Sequence, residues 1–278
     1  MCSSDLSPIH SDWQYEQYQD AFATIIDHIQ RGNVYQVNLS HRFHMDYAGN
    51  PAALYAKLRA HSPAPFGCYI HMDPWVICSA SPERFFKKSG SQLVTQPIKG
   101  TAPRGQTEAD DYVSKTELMA SEKNKAELLM ITDLLRNDLA MVCQTGSVTV
   151  DALRTVHAFS NVFHTESIIR GETSAPIADI LKTLSPGGSI TGAPKRAAMT
   201  LIDELETAPR GLYTGSIGLI RFDQQLADFN IAIRTLYGTQ SRLYFHSGGG
   251  IVADSTPQSE YEELLKKAES MAQVVDRL

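Results

Sequence analysis

The sequence predicts an α+β protein with largely antiparallel sheets. Two patterns carry this expectation. Segments with strand-like alternation follow one another through short turns, and helical segments interrupt them in blocks rather than after every strand. The composition agrees: 42% hydrophobic and 20% charged residues over 278 positions can bury a full core, which argues against disorder.

Residues 12–31 read as a helix, because Phe22, Ile25, Ile26 and Ile29 recur at helical spacing and Gly32-Asn33 stops it. The run VYQVNLSHRFHM alternates as a strand. Val37, Leu39, Phe43 and Met45 face one side; Gln36, Asn38, Ser40 and Arg42 face the other. Asn50-Pro51 opens a short helix, with Pro at a position whose amide needs no partner. Several strands are expected from Phe66 to Ile98, with a hairpin turn at Ser89-Gly90, and then a Gly/Pro-rich loop, KGTAPRG. One long helical stretch covers about 108–143. Strands return over 146–169, followed by a helix near 175–184, the loop SPGGSITGAPK and another helix. Strands near 213–222, 226–237 and 241–247 follow, with GTQS between the last two, and a long helix begins after Thr256-Pro257. No repeat or clear linker interrupts the chain, so one domain over 12–278 is expected behind a leader, 1–11.

Charge and cysteine usage narrow the function. Lys+Arg is 25 against 31 Asp+Glu, and a net charge of −6 disfavours general nucleic-acid binding. No apolar run reaches the roughly 20 residues of a membrane-spanning helix. MCSSDLSPIHSDW lacks the basic start and apolar stretch of a secretory signal, so no membrane partner and a cytoplasmic location are expected. Cys2, Cys68, Cys78 and Cys143 form no CxxC pair, which excludes a zinc ribbon and suits a reducing compartment. No HExxH, Walker A or GxSxG motif occurs.

Five segments could carry chemistry. In the last helix, Glu260, Glu263 and Lys267 share a face beside the stripe Tyr261, Leu264, Leu265, Ala268, Met271 and Val275. The helix follows HSGGGIVADS, whose glycines let backbone approach a ligand and whose amides can hold a carboxylate. A solvated Glu/Lys pair is the plainer reading. SEKNKAELLMITDLLRNDLAMV puts Glu127 on one helix face with Ile131, Leu134 and Asp138. That carboxylate is inert unless it meets Glu263 across a cleft, where the two could share Mg²⁺ with substrate and water. In SPGGSITGAPK, Ser189 and Thr191 either line a small-molecule pocket or do ordinary loop duty. Lys99 in QPIKGTAPRG is either solvated or a nucleophile sheltered beneath the loop. Glu83 in ASPERFF is a general acid or an exposed charge at a strand start.

QVNLS, SPERF, PIKGT-x-PRG, AELLMITDLLRNDL, FHTESIIRG, PGGSITGAPK, YTGSIG, IAIRTL and GGGIVADSTPQSEYEE occur in this order. Each is weak alone; together they are specific. From about residue 12 onward the chain resembles the chorismate-utilising family: anthranilate synthase component I, aminodeoxychorismate synthase component I, isochorismate synthase and salicylate synthase. The resemblance implies the anthranilate synthase component I-like fold, a four-layer αββα sandwich. It also points to a branch. Aminodeoxychorismate synthases carry the PIKGT lysine as covalent nucleophile, where anthranilate synthases usually have alanine; this chain has Lys99. Isochorismate and salicylate synthases use a lysine to activate water at the position matching Gln36. Both positions imply amination of chorismate on the para-aminobenzoate branch of folate synthesis.

The resemblance further implies Mg²⁺ on Glu127 and Glu263 with Glu260 beside them, Lys99 as nucleophile, Glu83 as general acid and His164 near the ring. Arg234, Tyr213 and the amides of Gly248, Gly249 and Gly250 match contacts to the enolpyruvyl carboxylate. Gly100 and Thr101 match a ring-side contact, Lys267 a substrate- or metal-side one, and Gln36 and Ser189 line the substrate. Ammonia is expected from a separate glutamine amidotransferase subunit. There are departures: Asn124 stands where some relatives have a second acid, and Ala102 where anthranilate synthases often have arginine. Relatives usually carry an N-terminal segment of further strands that this sequence is expected to lack. The rival readings are anthranilate synthase component I and a non-catalytic, chorismate-binding remnant.

Overall fold

The alternation of VYQVNLSHRFHM folds into a strand, Gln36–Asp46, whose apolar side is covered by helices. The computed structural model describes residues 9–158 and 162–276. In chain order the elements are β1 (His10–Ser11), α1 (Tyr15–Gln30), β2 (Gln36–Asp46), α2 (Pro51–His61), β3 (Phe66–Met72), β4 (Trp75–Ser81), β5 (Arg84–Ser89), β6 (Gln92–Gln96), β7 (Ile98–Pro103), α3 (Glu108–Ala120) and α4 (Glu122–Ala140). They continue with β8 (Thr149–Ala158), β9 (Val162–Glu172), α5 (Ile177–Leu184), β10 (Gly192–Ala193), α6 (Lys195–Leu205), β11 (Ser216–Arg221), β12 (Leu226–Ile231), β13 (Thr235–Thr239), β14 (Arg242–Ile251) and α7 (Pro257–Asp276).

The chain forms two compact units. The first takes the described residues of Met1–Pro82, Ile190–Ser216 and Ile231–Leu278. Its sheet has the order β1-β2-β14-β13-β4-β3, with β10 also on β2, and every pair is antiparallel. β2 and β14 pair without interruption from Asp46↔Arg242 to Val37↔Ile251. Val37, Leu39, Phe43 and Met45 are buried with Tyr18, Phe22 and Ile25 of α1 and Leu264, Ala268 and Met271 of α7. Burying such side chains contributes roughly 1.5–3 kcal/mol each.

The second unit takes Glu83–Ser189 and Ile217–Asn230. Its sheet has the order β11-β12-β5-β6-β9-β7, with β8 also on β9. β6 and β7 follow each other along β9, Gln92–Thr95 against Glu172–Ile169 and Ile98–Pro103 against Glu166–Val162. α4 packs on β9, where Thr132 Oγ1 donates to Ser167 Oγ at 2.9 Å. The expected α+β class with antiparallel sheets is thus present, and no helix among the described residues is long and apolar enough to cross a membrane.

Four expectations change in detail. The stretch 108–143 is two helices, because Ser121 leaves helical geometry (φ −64°, ψ 109°) to end α3 and cap α4. Its hydroxyl accepts from the Asn124 amide at 3.3 Å. Most of KGTAPRG is strand rather than loop, since Lys99–Pro103 pair with β9. The strand expected over 226–237 breaks into β12 and β13 at Arg234, which sits at φ 49°. The last strand runs to Ile251 rather than ending at 247. Of the expected leader, residues 1–8 lie outside the described residues, and His10–Ser11 add a short strand to β2.

His41 shares the covered side of β2, meeting Phe43, Trp13 and Tyr261 edge-on at ring-centre distances of 4.5, 5.8 and 6.1 Å. Burial drives its imidazole down to about 4, and Asp12 opposes this only in part. His246 is pushed down to about 3, by burial first and then by Arg210, Arg42 and His41. Both rings are neutral when folded, whereas the unfolded chain protonates them near pH 6.5. Their contribution to stability is therefore complete above pH 6.5 and declines as pH falls from there through the folded values. Urea denaturation at pH 7 and pH 5 should differ by roughly 2 kcal/mol per histidine from this source. His41→Leu should remove about one histidine's share of that difference; an unchanged difference would contradict the assignment.

Candidate active site

In the second unit the predicted residues lie on β7 and β9, which pair directly, and just before β5, which β6 separates from β9. Lys99 pairs with Thr165 and Thr101 with His164, which leaves Gly100 as the extra residue of a bulge. Gly100 adopts φ 81°, and a Cβ there would stand 3.0 Å from the Asn124 side chain and 3.1 Å from Leu118. The bulge re-aims the side chains flanking it. Lys99 is half-buried, and its carbonyl accepts the Thr165 hydroxyl. Thr101 Oγ1 is 2.8 Å from Nδ1 of the buried His164. Glu83 precedes β5, whose Arg84 pairs with Gln96 three positions before Lys99. It is buried, and Ser189 Oγ donates to its Oε1 at 2.7 Å. Burial sets aside the exposed-charge reading for Glu83. Glu127 lies half-buried on α4, 4.0 Å from Lys123.

One buried acid escaped the sequence reading. Glu166 follows His164 by two positions on β9; burial raises its carboxyl, opposed by His157 at 2.9 Å and by Arg84. Only strand alternation in FHTES hinted at it.

In the first unit, β2 and β14 build the other group. Gly250 pairs with Asn38 and Gly248 with Ser40. A Cβ on Gly250 would fall 2.5 Å from Gln36 Nε2, and one on Gly248 2.6 Å from Ser40 Cβ, so bare backbone is required beside this polar row. Gln36 and Asn38 are buried, and Gln36 Oε1 and Asn38 Oδ1 have no hydrogen-bond partner among the described residues. Such acceptors are suited to a ligand's donors. Tyr213 is buried and stacks on His246, ring centres 4.8 Å apart and planes within 8°. Burial pushes its phenol up to about 12, so the hydroxyl keeps its proton. Gly249 looks the other way, toward α7, where a Cβ would meet Glu260 Oε2 at 3.2 Å. Glu260 is 4% exposed and accepts from Ser255 Oγ at 2.7 Å. Lys267 Nζ reaches Glu263 at 2.8 Å and donates to the Gly248 carbonyl at 3.0 Å. The pair is half-exposed, as the plainer reading expected, yet it also ties α7 to the glycine strand. Arg234 is exposed, and its carbonyl accepts from the Ala80 amide at 3.0 Å.

Glu127, Glu260 and Glu263 supply only carboxylate oxygens, the hard donors that Mg²⁺ takes. Among the described residues no three His, Cys, Asp or Glu side chains gather as a metal group. Glu127 belongs to the second unit and Glu260 and Glu263 to the first, and Mg²⁺ is commonly held by one or two such carboxylates with substrate oxygens and water completing its shell.

The sequence pattern of the chorismate binding enzymes matches residues 3–273. The chain belongs to this family. Chorismate binding enzymes similar to it include aminodeoxychorismate synthase component 1 of Bacillus subtilis (strain 168), 41% identical over 93% of this chain and 55% of that protein. An anthranilate synthase component 1 of Haloarcula marismortui is 40% identical over 98% of this chain and 56% of its own length. The chain thus spans a little over half the length of these relatives. Among solved structures, anthranilate synthase component I from Streptococcus pneumoniae TIGR4 superposes with a TM-score of 0.87 at 34% identity, covering 96% of this chain and 61% of that one. The expected anthranilate synthase component I-like fold is therefore the fold of this chain.

The Gly100 bulge gives a direct prediction. Gly90 and Gly100 both have positive φ, at 57° and 81°, but only Gly100 has side chains within reach of a new Cβ. Gly100→Ala should cost about 1–3 kcal/mol, with a larger fall in Tm than Gly90→Ala. Equal falls would mean that Asn124 and Leu118 do not constrain the bulge.

Proposed function

We propose that this chain aminates chorismate to 4-amino-4-deoxychorismate, the reaction of aminodeoxychorismate synthase component I, in cytoplasmic para-aminobenzoate and folate synthesis. Overall identity does not choose the branch, because aminodeoxychorismate and anthranilate synthases match at 41% and 40%. The observation that carries the choice is Lys99, the PIKGT lysine, next to the Gly100 bulge. Gln36 supports amination, since an amide cannot serve as the base that would activate water.

In this reading the Lys99 amine attacks C2 of chorismate while the ring double bonds shift and the C4 hydroxyl departs. Glu83, oriented by Ser189, protonates that hydroxyl so that water leaves rather than hydroxide. Ammonia then adds at C4, the double bonds shift back, and the Lys99 amine is expelled. The enolpyruvyl group is retained, and the balance is chorismate plus ammonia giving aminodeoxychorismate plus water. His164, held by Thr101, stands at the ring with Gly100. Arg234, Tyr213 and the amides of Gly248, Gly249 and Gly250 take the enolpyruvyl carboxylate, to which an arginine fork can bond twice. Glu127, Glu260 and Glu263 would hold Mg²⁺, with Lys267 beside them; when bound, the metal draws charge from the ring carboxylate. A glutamine amidotransferase subunit would supply the ammonia.

Anthranilate synthase component I is the second reading, favoured by the Haloarcula relative at 40% identity. The purified chain with chorismate, Mg²⁺ and high ammonium at alkaline pH, coupled to aminodeoxychorismate lyase, should yield para-aminobenzoate. Anthranilate with pyruvate would establish the second reading instead, and no product from folded protein would favour the binding remnant. Lys99→Ala should lower amination by roughly 1,000-fold or more; unchanged turnover would refute the nucleophile.

A further inference from the structure

A strained arginine stands on β8, outside the residues that the proposed reaction uses. Ala152 pairs with Ile168 and Thr155 with Glu166, so β8 carries one more residue than β9 between those pairs. Arg154 lies in this bulge at φ 62°. A Cβ is crowded in that left-handed conformation, which glycine adopts freely. An arginine held there directs attention to what its side chain reaches.

The guanidinium reaches the junction between α3 and α4. Its Nη2 donates to the Met119 carbonyl and lies 3.5 Å from the Ser121 carbonyl. The last four carbonyls of a helix lack partners within it and carry partial negative charge. The last turn of α3 has no basic residue, so Arg154 supplies from β8 the cation that this helix end lacks.

That junction in turn packs on the Gly100 bulge. Leu118 and Asn124 flank Ser121 in sequence, and they are the side chains nearest a Cβ built at Gly100, at 3.1 and 3.0 Å. The Asn124 amide is tied to the Ser121 hydroxyl at 3.3 Å. Nearer the middle of α3, Ser114 Oγ donates to the Pro103 carbonyl at 2.6 Å, at the end of β7. Ser114 thus holds α3 to β7, and Arg154 holds its C-terminal end to β8, where Leu118 and Asn124 meet Gly100.

We propose that Arg154 is a positioning residue: it holds the α3–α4 junction so that Leu118 and Asn124 keep the Gly100 bulge, and with it Lys99, in place. This rests on the reading above in which Lys99 is the nucleophile. Arg154→Ala would keep the backbone strain and lose the bonds, so the informative variant is Arg154→Gly, which is at ease at φ 62° and removes only the side chain. Two quantities are measured: steady-state amination, and amide hydrogen exchange of the chain without substrate. Arg154→Gly should lower kcat roughly tenfold with KM for chorismate within about twofold, because a displaced nucleophile costs rate rather than binding. Exchange should quicken in β7 and across 118–124 and stay unchanged in β6. Arg154→Lys, which keeps a cation near the carbonyls, should show the same changes at reduced size. An unchanged kcat, or a rise in KM alone, would overturn the proposal. So would exchange in β7 that matches the wild type, or that quickens equally in β6, since Arg154 would then support the whole sheet rather than the bulge. The exchange measurement needs no turnover. A wild-type chain that fails to aminate chorismate would sink the reading of Lys99 and leave the link from Arg154 to the bulge readable by exchange.

Discussion

The antiparallel pairing of β2 with β14 is the constraint on which the first unit depends. Its long, uninterrupted register decides which side of β2 meets α1 and α7 and which side carries Gln36, Asn38 and Ser40. A slip by one residue would exchange those sides, placing amides in the core and Val37 and Leu39 in the polar row. The register also explains the three successive glycines. Gly248 and Gly250 oppose the polar row so closely that a side chain would collide with it, and Gly249 passes Glu260 on the α7 side. A strand that carries no side chains of its own can bring backbone amides to a ligand, at the conformational cost glycine imposes on a strand.

The second unit solves a different problem with one inserted residue. Without the bulge, Lys99 and Thr101 would keep simple alternation against β9. With Gly100 inserted, Thr101 meets His164 while Lys99 stays paired to Thr165. The nearby hydrogen bonds act on orientation: Thr101 on the imidazole and Ser189 on the Glu83 carboxylate. The proposed amination, which needs a proton transfer and a covalent bond, would gain from groups held in place before substrate arrives.

Much of this was legible in the sequence because it is periodic or local. The β2 alternation, the α7 stripe and the helix at Asn50-Pro51 all folded as their spacing implied. The misreadings have identifiable causes. Apolar residues recur at helical spacing on both sides of Ser121, so the break appears only when its side chain caps Asn124. Gly and Pro in KGTAPRG usually punctuate loops, yet here one is a bulge and the other ends a strand. Arg234 adopts positive φ with no glycine to announce it. The hydrogen-bonded Ser40 and Glu206 lie 166 positions apart, and no local pattern could join them. The roles proposed for Lys99, Glu83 and Gln36 rest on ordered motifs rather than on any physical signature of those residues alone.

The proposed nucleophilic role of Lys99 is what would separate amination at C4 from the other chemistries open to this family. It is tested most directly by omitting ammonia. The chain is incubated with chorismate and Mg²⁺, quenched in acid, and its intact mass and peptides are measured. A lysine nucleophile predicts an adduct of chorismate less one water, mapped to Lys99 and discharged when ammonium is added before quenching. Chorismate consumed with Lys99 unmodified throughout would contradict it.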